Sequence, residues 1–546
     1  MSWISYTLQS IQRLRKIESD ASSLCTALAI VLLLAGPGAL AAQGRYDFAL
    51  TPRHVVYHDV KVDAQGAIVP WYDPSPSVAY DHDLRMLWSF WKQMRNGPNG
   101  VPYYLLHQVW KENEDDKRGL GGDQISMTMD SWNLLYGYLG DEELHRNMKM
   151  MADFWLEHGL VDAHLAYANQ VYPYNMDTQL GVYNGDMRSG KGYLQPDKAA
   201  SFGAQLVTLY QITEDKRYLQ AAIRIANSLA RTAIAGDASH SPWPFRVDAA
   251  SGKSAADPWG NTVAIASYTT NWTPALRLFE KLDELHAGDT KAYRRTHTLV
   301  CAWLLRYPLQ TNRWGPFFED VATGHVTDTE INADTMAAYL FEHPGFAANA
   351  PDLARGILRW SETVLGNHQF ESVHVMPLNE QTAYLFPGNS HTARHAMVEL
   401  LDCERTGHCD DKQAAIRRLN WATYSVNEEG KNRYPQDDIW LTDGYGDYVR
   451  HYLRAMASLP ELAPENQNHL LRSSSVIQKI QYSEGKIGYR KFDARSAECF
   501  KLGAAVPARV SGGSYRWDAK TKLLYIEARS KDVAIVFGQE TRSSER

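Results

Sequence analysis

Between Leu134 and Val426 one phrase keeps returning: a tight polar turn, then an amphipathic run of about twenty residues. It reads Leu139-Gly140-Asp141-Glu142-Glu143-Leu144 before Met148, Ala152 and Trp155. It returns as Thr213-Glu214-Asp215-Lys216-Arg217-Tyr218, and again as Ala287-Gly288-Asp289-Thr290-Lys291-Ala292. Weaker copies begin at Ala350-Pro351-Asp352 and Cys409-Asp410-Asp411. A helical unit that recurs at a near-constant period cannot bury its apolar face alone. It must stack on its neighbours, as a solenoid or a closed ring.

Periodicity predicts twelve helices, at 81–95, 126–138, 141–158, 197–212, 215–234, 269–285, 289–306, 332–343, 351–366, 389–403, 410–426 and 444–458. Their connections alternate, short after Tyr138, Ile212, Leu285, His343 and Cys403, long before Ser126, Asp197, Thr269, Asn332, Asn389 and Gly444. In an up-and-down ring this alternation gathers the short turns on one rim and the long loops on the other. Long ordered loops in a compact domain are usually functional, so the long-loop rim is the expected site. After Pro460 the period changes to two, over 476–482, 486–492, 514–517, 523–528 and 532–537, which predicts a small β domain. The expected division is a signal peptide at 1–42, a helical ring at 43–460, a linker at 461–468, a β domain at 469–540 and a frayed tail at 541–546.

The signal peptide rests on Arg13, Arg15 and Lys16, the apolar run Cys25 to Ala35, and small residues at Ala39-Leu40-Ala41. It predicts a periplasmic or secreted protein with no membrane contact after cleavage. Cys403 and Cys409 flank a short polar turn that a disulfide could close in such a compartment. With a net charge of −7 there is no basic surplus for a phosphate backbone, which argues against nucleic acid as a partner. No GxGxxG, P-loop, HExxH or GxSxG occurs. Asp328-Thr329-Glu330 and Asp437-Asp438 lack the full calcium-loop pattern. Neither metal nor cofactor is expected, and oligomeric state is not legible.

Twelve helices in six hairpins, the Thr213–Tyr218 type of turn, an aromatic- and acid-rich rim, a signal peptide and a trailing β domain resemble the six-hairpin glycosidase-like (α/α)6-toroid superfamily. The resemblance spans about 45–460. It implies a mainly α chain, an (α/α)6 toroid with a small C-terminal β-sandwich-like domain, and an oligo- or polysaccharide substrate. That superfamily holds hydrolases, uronate-acting enzymes, lyases and epimerases, so the reaction stays open.

In such a ring the inner helices follow the long loops, and their N-termini face the cleft. The catalytic candidates there are Asp130, Asp197, Asp334, Asp447, Tyr193, His391 and Tyr445. Asp130, Asp334 and Asp447 lie a turn inside helices among apolar neighbours, where an acid needs a polar cavity or a partner. Asp197 also suits a helix cap. Candidate substrate contacts are Lys198, Arg188, Asp177, Asp186 and Asn271, with Trp243, Trp259, Trp272 and Trp314 expected to stack on sugar rings. Two carboxylates would serve glycoside hydrolysis, the leading expectation. A Tyr or His base such as Tyr193, His391, His395 or Tyr445 would serve a lyase or uronate-acting enzyme, and a non-catalytic glycan-binding ring is the third alternative. Six converging helix N-termini with Lys191, Lys198, Arg188 and Arg394 nearby raise the expectation of an anionic sugar.

Overall fold

The repeated phrase is a helix-stop followed by a helix-start. Gly140 and Gly288 take positive φ, 73° and 74°, which glycine adopts without a Cβ penalty. In the second copy Glu214 takes the same left-handed position, at φ 57°. One residue later an aspartate caps the next helix: Asp141 accepts from the Glu143 N–H, Asp215 from Arg217 and Asp289 from Ala292. The two weaker copies lack this bond, with Asn349 and Asp411 at the cap and no side-chain acceptor.

The protein is seen in a computed structural model that describes residues 50–93, 122–177, 182–256, 263–318, 327–433, 441–503 and 506–538, the side chains of 122–123, 263–264 and 441–447 excepted. Of the compact unit Met1–Thr51, only Leu50–Thr51 is described, as a two-residue strand, so the expected signal peptide lies outside the described residues. Everything below concerns the unit Pro52–Arg546. Among the described residues no helix is long and apolar enough to cross a membrane.

The twelve long helices are α1 (Pro76–Lys92), α2 (Gly122–Leu139), α3 (Glu142–His158), α4 (Pro196–Thr213), α5 (Lys216–Thr232), α6 (Thr273–Glu284), α7 (Thr290–Arg306), α8 (Glu330–Glu342), α9 (Ala350–Leu365), α10 (Asn389–Thr406), α11 (Lys412–Thr423) and α12 (Leu441–Ser458). The six even-numbered helices pack in the order α2, α4, α6, α8, α10, α12 and back to α2, closing an inner ring. α3, α5, α7, α9 and α11 each back onto the inner helix they follow. α1 takes the sixth outer place beside α11 and α12, so the first and last helices share one wall. The chain is an (α/α)6 toroid.

Burial follows the layers. α5 shows a single stripe, with Tyr218, Ala221, Ala222, Ile225, Ala226 and Leu229 turned inward. α8 and α10 are buried through most of their length, polar residues included. The first helix starts earlier than periodicity predicts because Pro76 occupies its first turn, where its missing N–H costs nothing.

The rim carrying the long connections holds a three-stranded sheet of β1 (Tyr174–Asp177), β2 (Val182–Asp186) and β3 (Gly190–Lys191). At the opposite rim sits the C-terminal domain, with β4 (His469–Ser473), β5 (Ile477–Ser483), β6 (Lys486–Lys491), β7 (Ser496–Lys501), β8 (Pro507–Ser511), β9 (Gly513–Asp518), β10 (Leu523–Ala528) and β11 (Asp532–Phe537). They form two four-stranded antiparallel sheets, ordered β4-β7-β10-β9 and β5-β6-β11-β8. Five of these strands alternate legibly. β4, β7 and β8 do not: β7 buries four consecutive residues, Glu498 to Lys501, and so reads without period two. The domain docks on the end of α2. The Tyr482 hydroxyl donates to the Gly137 carbonyl at 2.5 Å, the Ile480 N–H to the Tyr136 hydroxyl at 3.1 Å, and the His469 ring stacks on Tyr138 at 3.8 Å. The expected linker is docked too, with Leu462 and Ala463 buried.

Cys403 and Cys409 form a disulfide across the α10–α11 turn, on the rim opposite the long connections. A loop this short constrains the unfolded chain by only about 2 kcal/mol. Reduction should therefore lower the urea midpoint modestly and leave turnover unchanged. A loss of activity at equal foldedness would place that rim in the chemistry.

Candidate functional site

Among the described residues, many of the buried polar side chains gather at the N-termini of the inner helices. Asp197 sits in the first turn of α4, behind Pro196, and is fully buried. Its Oδ2 accepts from Asn271 Nδ2 at 2.8 Å and lies 3.4 Å from Lys198 Nζ, whereas its Oδ1 is buried with no hydrogen-bond partner. Lys198 is equally enclosed. Its ammonium lies 3.2 Å from the Phe317 ring centre and donates to the Phe317 carbonyl at 3.4 Å.

A strap of chain, Trp314–Phe318, ties these groups to the next helices. The Pro316 carbonyl accepts from Thr269 Oγ1 at 2.5 Å and from Asn332 Nδ2 at 3.2 Å, and the Trp314 carbonyl accepts from Thr329 Oγ1 at 3.1 Å. The strap needs Gly315, since a Cβ there would lie 1.4 Å from the Thr327 carbonyl oxygen. Asn332 Oδ1 and Thr270 Oγ1 beside it are buried without partners. Like Asp197 Oδ1, they are acceptors that no described protein group uses.

Across the strap, Glu330 opens α8. It is fully buried, and it accepts from Arg394 Nη1 and from His391 Nδ1, the latter at 2.6 Å. His391 and Arg394 both project from the first turns of α10, and the half-buried Phe318 ring meets the His391 ring edge-on at 5.9 Å. A carboxylate bonded to Nδ1 fixes the imidazole's orientation and makes Nε2 its proton-transfer atom.

One turn deeper the same two helices repeat the pairing. Asp334 Oδ2 lies 2.7 Å from His395 Nδ1, and Asp334 Oδ1 accepts from Ser361 on α9 at 2.7 Å. Burial works against a charge on His395, but Asp334 and Glu399 overcome it and hold the ring up at about 10. Asp334 thus faces the seam between inner and outer helices rather than the cleft.

Asp130 is also engaged. Arg454 at 2.7 Å and Arg450 at 3.3 Å, both from α12, bind its Oδ2. Burial favours the neutral acid, yet the two guanidiniums win and hold Asp130 at about 2. A carboxylate clamped between two arginines is kept ionised, and it ties α2 to α12.

The other sequence candidates scatter. Asp186 builds the β2–β3 turn, accepting from the Arg188 and Ser189 N–H groups at 2.8 Å and from Gln195 Nε2 at 2.5 Å, with Arg246 at 3.5 Å. Arg188 is half-buried on that turn, and Tyr193 is half-buried in the strand pair Tyr193–Leu194 with Val247–Asp248. Asp177 pairs with Lys191 at 3.3 Å on the sheet's edge. Trp243, Trp272 and Trp314 correct an expectation: all three are 0% exposed. Trp243 Nε1 donates to the Leu229 carbonyl, its ring lies 4.8 Å from that of Trp272, and Trp314 Nε1 donates to Asn312. They are wall, with no face left for a sugar. Trp259 lies outside the described residues, as do the side chains of Tyr445 and Asp447.

The structure therefore gathers Asp197, Lys198 and Asn271, and joins His391 to two residues given little weight above, Glu330 and Arg394. Glu330 was considered only for calcium. The available signal was the matched spacing of Glu330 with Asp334 and His391 with His395, both i, i+4.

No family model matches the chain, and no curated protein sequence matches it. Among solved structures, similarity is found to a sugar epimerase from a ruminal bacterium (15% identity, 70% of this chain and 98% of that one, TM-score 0.49). It is found also to cellobiose 2-epimerase from Spirochaeta thermophila (10%, 70% and 96%, 0.49) and to a family 15 glucoamylase from Hypocrea jecorina (10%, 71% and 72%, 0.46). At these values the chemistry has to be read from this chain's own residues.

Two outcomes are expected. Asp130→Asn should cost about 2 kcal/mol of stability near neutral pH, the value of its depressed pKa. Because that pKa is lowered on folding, the contribution is present above about pH 4 and lost as pH falls toward 2. Loss of turnover at unchanged stability would return Asp130 to catalysis. Trp243→Phe should lower stability by about 2 kcal/mol and leave KM for any turned-over glycan unaltered; a raised KM with wild-type melting would restore it as a stacking platform.

Proposed function

We propose that the chain is a carbohydrate-active enzyme in which His391, oriented by Glu330, moves a proton on a bound sugar. The observation that carries this reading is the buried Glu330–His391–Arg394 group at the cleft end of two adjacent inner helices. Buried charges are costly unless paired, and this group places a paired, oriented imidazole where a general acid–base is needed. Glu330, itself paired with Arg394, would balance the imidazolium formed when Nε2 takes a proton. Asp197 Oδ1, Thr270 Oγ1 and Asn332 Oδ1 offer acceptors for the sugar's hydroxyls, and Phe318 an aromatic edge for its ring.

Proton abstraction at carbon, as in epimerisation or β-elimination, fits this set better than hydrolysis. Glycoside hydrolysis needs two carboxyl groups at the scissile bond. Of the carboxylates Asp130, Asp197 and Glu330, Asp130 and Glu330 are paired with arginine, while Asp197 keeps one oxygen outside any hydrogen bond. Asp197 keeps hydrolysis as the second reading, with its partner sought among the acids at the start of α12. Of the four cations behind the anionic-sugar expectation, Lys198 pairs with Asp197 and Phe317, Arg394 with Glu330 and Lys191 with Asp177; β-elimination requires a uronate, whereas epimerisation suits a neutral sugar. A disulfide on an exposed turn supports the proposal that the enzyme works in an oxidising compartment outside the cytoplasm.

The test is turnover of a neutral and acidic oligosaccharide panel in deuterated water, followed by mass, reducing ends and ultraviolet absorbance. Deuterium fixed at carbon, or an unsaturated product, is expected, and His391→Gln should lower kcat/KM by about 10² to 10⁴ with little change in melting. New reducing ends without deuterium at carbon, abolished by Asp197→Asn and untouched by His391→Gln, would establish hydrolysis instead.

A further inference from the structure

Among the described residues, one group of metal-ligating side chains brings its donor atoms within 4.8 Å of one another: Glu362 of α9 with His395 and Glu399 of α10. We propose that these three residues form a binding site for a divalent transition-metal ion, zinc being the best match, that pins the outer helix α9 to the inner helix α10. This site is separate from the cleft and does not depend on the proposed reaction.

Three observations carry it. The first is unsatisfied chemistry. His395 Nε2 is fully buried and has no hydrogen-bond partner, and Glu399 Oε2, also buried, has none. Nε2 points between the two glutamates, 3.8 Å from Glu362 Oε1 and 3.8 Å from Glu399 Oε1. These separations are too long for hydrogen bonds. Donor atoms about 2 Å from a tetrahedral zinc stand roughly 3.3 Å apart, so an inward shift of about half an ångström would fill three of the four positions and leave the fourth to water.

The second is orientation. Asp334 binds His395 at Nδ1, and Ser361 in turn donates to Asp334. A carboxylate behind the imidazole, itself held by a hydroxyl, is the outer-sphere arrangement that fixes a metal-binding histidine with its other nitrogen forward.

The third is charge. Asp334, Glu362 and Glu399 bring three carboxylates together, and Arg418 is the permanent cation among them, donating to Glu362 Oε1, to Glu399 Oε1 and to the Met376 carbonyl, so that an ion would share those two oxygens with the guanidinium or take Glu399 Oε2. A divalent ion would displace the His395 proton, and on the neutral imidazole it would cancel the two negative charges that three carboxylates and Arg418 leave. An imidazole beside two carboxylates favours zinc and its first-row neighbours over magnesium or calcium, which take oxygen-only shells. Glu362 is about a third exposed, and its partner Arg418 also borders a groove of about 230 Å³ with Met376 and Arg417.

The test uses the full chain stripped with chelator and titrated with Zn²⁺ alone, read by calorimetry, metal analysis and melting temperature, with Co²⁺ as a spectroscopic probe. Expected are about one ion per chain, a higher melting temperature, and cobalt absorption bands of low coordination number. Glu399→Gln and Glu362→Gln should each weaken zinc at least tenfold, and Asp334→Asn by about 10- to 100-fold. The exposed Glu371→Gln should bind as wild type. Should Glu399→Gln fail to fold, Glu362→Gln, on the more open outer helix, decides the matter. No stoichiometric zinc, or zinc whose affinity ignores both glutamate substitutions, overturns the proposal.

Discussion

Closure of the inner ring is the constraint on which everything else depends. A helix in the outer layer can solvate one face, and α5 does so with a single inward stripe. An inner helix has neighbours on both sides and an outer helix behind it, so its only solvated direction is the cleft end. Any charged residue placed on it must be paired. The ring turns four of the described inner-helix acids into parts of networks: Asp130 with two arginines, Asp197 with Asn271 and Lys198, Glu330 with His391 and Arg394, Asp334 with His395 and Ser361. Burial gave these acids their partners, and the partners decide what each can do.

The fold was legible because its repeat has a local cause. A left-handed residue ends one helix and an aspartate starts the next, and both leave a signature within six residues. Where the signature weakens, at Asn349 and Asp411, the cap bond is missing as well. Twelve helices, their order and the alternation of their connections follow from that signal together with the 3.6-residue period. The β domain was half legible, since β7 and β4 bury consecutive residues and so lose the alternation that reveals a half-buried strand.

The site was less legible, and the tryptophans show why. A tryptophan in a polar stretch of sequence looks like a platform for sugar, yet Trp243 and Trp314 use their N–H groups on nearby backbone or side-chain acceptors and bury their rings. Polar neighbours in sequence are not polar neighbours in space. The same holds for Asp186, whose surroundings of Asn, Gly and Arg suggested a substrate loop and which instead closes a turn through two backbone N–H groups. Helix-start position identified Asp197 and His391, but pairing between helices, invisible along the chain, decided which acids were neutralised.

Glu330 and Asp334 are four residues apart on α8, and His391 and His395 are four apart on α10. The two helices are parallel neighbours in the ring, so one turn on each advances both by the same rise, and the carboxylate–histidine pair is repeated like two rungs. The chemistry of the rungs differs only through what surrounds them. The upper rung lies at the helix N-termini, where the dipole favours the carboxylate, and meets Phe318 and the strap. The lower rung is sealed by Ser361, Glu362 and Glu399. An imidazole facing a cleft can exchange its proton with a substrate. The same imidazole facing the buried Glu399 and the half-buried Glu362 would do so by giving the place to another cation. One sequence spacing thus supports proton transfer at one level and ion binding at the next, and the difference is made by the residues that close each rung.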